Sequence, residues 1–148
     1  VSAQFPNMKI CPERFGQLKQ LRDAMKTRTI AGTVGELISA EIARGTIRDE
    51  IPGVEIRGDG ERVFITIADH EPKELSNDQA KVLAESVAKL SEVASASGTE
   101  INPHSGFIVQ RKGASVAVQL DPISGTKKVF PTDLARDFAR LVRKAATV

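Results

Sequence analysis

The dipeptide Pro52-Gly53 divides this 148-residue chain into two unequal parts whose apolar patterns differ in kind. Pro locks φ and lacks a donor while Gly frees the backbone, so the pair is a strong break in regular structure. It closes a short connection that begins at Ile47, and a domain boundary is expected there, giving segments 1–50 and 51–148. Before the break the pattern is helical. Phe15, Leu18, Leu21 and Met25 recur at spacings of three and four, and Val34, Leu37, Ile38 and Ile42 repeat that stripe. Pro12 suits the first turn of the first helix, Glu13 complements its dipole, and Gly45 suits the position just past the second. Two starts are open for the second helix: Thr29 as the cap, or Thr33 with Glu36 as a capping box. Met8 to Cys11 reads as a short strand running into Pro12.

After the break the pattern is duplicated. Residues 54–60 and 63–67 read as a hairpin, followed by a helix opening at Ser76 with Gln79 as capping partner. Its stripe is Leu83, Val87, Leu90 and then Val93 or Ala94. Residues 107–113 and 116–120 repeat the hairpin, and Leu134, Phe138, Leu141, Val142 and Ala145 repeat the helix. Gly60 and Val63 map onto Gly113 and Val116 at an offset of 53, and Asp78, Ala84 and Val87 onto Asp133, Ala139 and Val142 at 55. A ββα unit is too thin to bury its own face, so the copies at 54–95 and 107–146 are expected to pack as a pseudo-symmetric pair. The fold class read from the sequence is α+β: a strand-helix-helix segment followed by two ββα units.

Charge is unevenly distributed. Residues 1–30 carry six basic and two acidic side chains, residues 31–100 sum to −7, and residues 101–148 to +5. Basic ends favour a polyanionic partner, whereas paired, solvated faces would give the same totals. There is no Trp or Tyr and there are six Phe, so platforms for stacking single-stranded bases are few. One cysteine, Cys11, excludes an internal disulfide framework and a Cys-rich zinc module. The apolar runs are too short to span a bilayer, and the N-terminus lacks the charged and apolar regions of a secretory signal, so a cytoplasmic protein is expected.

Constellations that would carry catalysis are weak. His70 and His104 stand in no metal-ligand spacing, and His104-Ser105 are adjacent without a nucleophile elbow around them. Asp69, Glu71, Glu74 and Asp78 form an acidic cluster that suits a divalent cation only loosely. No phosphate-binding glycine loop is present, and Arg57-Gly58-Asp59 reads as the hairpin turn. No enzyme activity, metal or cofactor is therefore expected. The last helix carries Arg136, Arg140, Arg143 and Lys144, which suit phosphates, an acidic protein patch or a solvated outer face.

The strongest constellation is N-terminal. Met8-Lys9-Ile10-Cys11-Pro12-Glu13, the Phe15/Leu18 stripe, Arg28-Thr29-Ile30 and the Val34/Ile38/Ile42 stripe together resemble the ribbon-helix-helix family of DNA-binding proteins. The resemblance covers residues 8–44. It implies that two chains intertwine, their strands pairing into a ribbon that enters the major groove while each second helix points its N-terminus at a phosphate. Carried onto this sequence, Asn7 and Lys9 would read base edges with Met8 and Ile10 facing inward, the opposite register exposing Met8 and Ile10 instead. Thr29, Ile30 and Ala31 would meet the phosphate, with Arg28 adding charge. The expected function is sequence-specific duplex DNA binding by a homodimer or higher oligomer, as a transcriptional regulator or antitoxin. Residues 51–148 would then bind an effector, further protomers or a protein partner. The rival expectation is a non-catalytic assembly or adaptor protein whose N-terminal helices serve oligomerisation alone.

Overall fold

The computed structural model describes residues 6–92, 97–102, 106–121 and 126–147. The chain separates into two compact units, unit 1 over Val1–Asp49 and unit 2 over Glu50–Val148.

Unit 1 is a pair of helices, α1 (Pro12–Met25) and α2 (Ile30–Ala43), packed on each other. Pro12 opens α1 as its residue type favours, and Lys26 closes it in the left-handed region, its N–H reaching the carbonyls of Arg22 and Asp23. The strand expected at residues 8–11 is not formed: residues 6–11 carry no regular structure, and helices open the chain. A strand exists through its ladder, and among the described residues nothing pairs with this segment. Cys11 nonetheless keeps an extended backbone, at φ −65° and ψ 154°.

Unit 2 contains seven strands and two helices among its described residues: β1 (Val54–Gly58), β2 (Arg62–Ile67), β3 (Lys73–Ser76), α3 (Asn77–Glu92), β4 (Ser97–Ile101), β5 (Ile108–Lys112), β6 (Ser115–Asp121), β7 (Thr126–Pro131) and α4 (Thr132–Ala146). Two antiparallel sheets result, ordered β1-β2-β3 and β4-β5-β6-β7. Both expected hairpins form, Val54 pairing with Ile67 in the first and Lys112 with Ser115 in the second. The ββα description needs correction. Each copy is a three-stranded antiparallel meander followed by a helix, β1-β2-β3-α3 and β5-β6-β7-α4, and β4 is an additional strand at the edge beside β5. The extra strands escaped the pattern because they lie at edges. β3 has four residues with Leu75 alone buried, and β7 carries two lysines and ends in Pro131, both habits of protected edges.

The helices lie side by side in the core and cross between the copies. Besides strands of its own copy, α3 contacts β5 and β6, and α4 contacts β1 and β2. Sheet residues Val63, Ile65, Leu75, Val109, Val116, Val118 and Phe130 meet Leu83, Val87, Phe138 and Val142 in one continuous apolar interior. Phe130 and Phe138 stack with ring centroids 5.0 Å apart. Gly58 is required where α4 crosses β1, since a Cβ there would overlap the Ala145 carbonyl. The start of α3 follows the expected capping box: Ser76 N–H donates to Gln79 Oε1 at 3.0 Å, and Gln79 N–H to Ser76 Oγ at 3.1 Å. Among the described residues no helix is long and apolar enough to cross a membrane.

Candidate nucleic-acid interface

Unit 1 has no fully buried apolar side chain among its described residues. Among its described residues only Thr33 is buried, at 0% exposure, and it is polar. The apolar stripes of α1 and α2 are only partly covered: Leu18, Val34 and Ile42 are half-buried, whereas Phe15 is 41% exposed, Ile38 47%, and Leu21, Met25 and Leu37 are also open. Met8, ahead of α1, is 75% exposed. Monomeric proteins scatter single apolar side chains over their surfaces, whereas here several exposed ones share two adjacent helices.

A short network of threonines sets the start of α2. Thr29 is the cap, its Oγ1 accepting from Gly32 N–H at 3.0 Å. Thr33, the alternative start, lies one turn inside the helix, where its Oγ1 donates to the Thr29 carbonyl at 3.0 Å. Its hydroxyl also shares a 2.5 Å hydrogen bond with Thr27 Oγ1. The turn between the helices is thereby tied to both of them, and neither Thr27 nor Thr33 had a signal in the sequence for that role.

The cap takes the Gly32 N–H and the Thr29 carbonyl takes that of Thr33. No hydrogen bond among the described residues uses the N–H of Ile30 or Ala31, which stay available at the positive end of the helix dipole. No acidic side chain stands in the first turn of α2, and Arg28, just before the cap, is exposed. Arg28, Lys26 and Lys9 form no ion pair among the described residues, whereas Arg22 pairs with Asp23 and Arg44 with Glu41. The structure thus brings Arg28, Thr29, Ile30 and Ala31 into one anion-attracting corner. Asn7 and Lys9 lie in the exposed segment before α1, and no described hydrogen bond or ion pair links them to that corner.

Polar clusters in unit 2 have structural partners. Asp59 accepts from the N–H groups of Glu61 and Arg62, which close the first hairpin and hold its carboxyl below the usual carboxylate range. Arg62 joins Asp59 to Glu74 across the sheet, at 3.1 and 2.8 Å. The hydroxyl of Ser86 and then the ammonium of Lys89 lower the Glu100 carboxyl, tying β4 to α3. The acidic cluster does not assemble. Glu74 is engaged by Arg62, and no group of three or more metal-ligating side chains gathers among the described residues. His104 and Ser105 lie outside the described residues.

No protein-family model, curated protein or solved structure matches the chain.

Proposed function

We infer that the chain binds duplex DNA as a homodimer through unit 1, in the manner of a ribbon-helix-helix transcriptional regulator or antitoxin. The observation carrying this reading is the exposure of Phe15, Leu21, Met25, Leu37 and Ile38 on two neighbouring helices, beside an α2 N-terminus whose first N–H groups are unused. A second chain would cover the apolar sides, and it would also offer residues 7–11 the ladder partner that one chain lacks. In that arrangement Asn7 and Lys9 read base edges from the paired ribbon. Ile30 and Ala31 donate to a phosphate, assisted by the Arg28 charge. The rarity of aromatic side chains supports groove contacts over base stacking.

The test is a duplex-binding isotherm at two salt concentrations, for the wild type and for Lys9→Ala combined with Arg28→Ala. Each phosphate contact steepens the log K against log salt slope by about 0.9, so losing the Arg28 contact from both chains of a dimer shallows it by roughly 2, while losing Lys9 narrows the affinity differences among duplexes of different sequence. Absent or salt-independent duplex binding, together with discrete oligomers of the protein alone, would favour an assembly protein.

A further inference from the structure

We propose that unit 2 carries a second, separate contact for the phosphodiester backbone of duplex DNA, in the groove between α3 and α4. The groove is shallow and open to solvent, with a volume of about 550 Å³. Its floor is Ala88 and Ala139, and its wall is Arg136, Arg140, Arg143 and Lys144, with Glu92 the one acidic side chain among the lining residues. It lies wholly within unit 2 and stands whether or not unit 1 binds DNA.

Several observations converge on this groove. The four cations are spaced four, three and one along α4, on the side opposite Phe138 and Val142, so the core holds them at fixed positions on a rigid helix. Arg136, Arg143 and Lys144 are exposed and make no ion pair among the described residues. Helix electrostatics account for part of the pattern, since cations in the last turn of α4 offset its dipole. That effect fades beyond one turn and does not explain Arg136, near the other end of the helix.

The form of the array selects the occupant. Arg136 to Lys144 spans about 12 Å of helix axis at ~1.5 Å per residue. That length is enough to reach a few phosphates of one strand, whose rise along the duplex axis is about 3.4 Å per nucleotide. Guanidinium groups fork onto phosphate oxygens in pairs, a geometry suited to planar recognition along a backbone. The lining has no aromatic ring to stack a base and no Asn or Gln to read one. The contact proposed is with the backbone, and its mark is equal affinity for duplexes of different sequence.

The experiment measures affinity of the full chain for a labelled duplex across a salt series. It uses four proteins: wild type, R136Q/R143Q/K144Q, R136K/R143K, and the unit 1 variant K9A/R28A. The expected result is a slope shallower by about 2.7 per bound chain in the glutamine variant, from about 0.9 for each of three lost contacts. That loss should be equal on specific and random duplexes, with the lysine variant near wild type. Circular dichroism matching wild type shows that the glutamine variant is folded. A wild-type slope in that folded variant overturns the proposal, and so does tighter binding of polyglutamate than of duplex at the same salt. If K9A/R28A alone shallows the slope, the groove proposal fails and the unit 1 reading survives. If the glutamine variant alone shallows it, the groove stands and the unit 1 reading fails. No duplex binding by wild type at low salt overturns both.

Discussion

The helices of unit 1 and unit 2 are nearly equal in length, 14 and 14 residues against 16 and 15, yet they differ in what they bury. α3 buries seven residues and α4 six, while α1 buries none and α2 only Thr33. All four sequences carry apolar residues at spacings of three and four. Periodicity therefore says which side of a helix seeks cover and leaves open what supplies it. In unit 2 the cover comes from two sheets of the same chain. Within unit 1 each helix covers only part of the other, leaving Leu18, Val34 and Ile42 half-buried and Phe15 and Ile38 exposed, and the proposed second chain would supply the rest. Surface-to-volume scaling points the same way, because so short a two-helix segment has little interior of its own.

The comparison breaks first at the uncovered side of unit 1. Ile38→Asp would place two charges in a two-chain interface and remove two buried isoleucines. At about 1.5–3 kcal/mol for each buried side chain, the dimer weakens by roughly 3–6 kcal/mol. Light scattering should then report the single-chain mass, and duplex binding through unit 1 should be lost. The heat-unfolding transition of unit 2 should not move.

Phe138→Ala should do the reverse. Removing a fully buried ring that stacks on Phe130 should cost unit 2 about 3–5 kcal/mol, read as a lower urea midpoint. The self-association of unit 1 should persist. A mass change with this variant would show that the uncovered helices are not the association surface.

The smallest expected effect sharpens the comparison within unit 1. Thr29→Ala removes the cap on α2 at a cost of about 1 kcal/mol, whereas Thr29→Ser keeps the acceptor. Duplex affinity should fall in the first and hold in the second, measured by fluorescence anisotropy, with the unit 2 transition unchanged in both.

The features that could be read from the sequence were those with a local cause. The Ser76–Gln79 capping box, Pro12 at a helix start, the two hairpins and the glycine turns each depend on a few neighbouring residues. The start of α2 was ambiguous because Thr29 and Thr33 both fit a cap. The structure places Thr33 where its hydroxyl bonds back to the Thr29 carbonyl, a contact with no sequence signature. β3, with Leu75 its one buried residue, is too short to show alternation, and β4 and β7 lie at sheet edges. The duplication was visible in the 53- and 55-residue offsets. The crossing of α4 onto β1 was not, because long-range packing leaves no periodic trace beyond the need for Gly58. The candidate site divides along the same line. Arg28 to Ala31 form one local corner at a helix start, whereas Asn7 and Lys9 lie in a segment without regular structure, where no local pattern fixes their place.

The most direct test of the central claim is the light-scattering mass of the chain mixed with a short duplex at low salt. Two chains of 16.0 kDa on one duplex are predicted, with the same pairing of chains in the free protein. A 16.0 kDa monomer at every concentration that forms no complex with the duplex would contradict it.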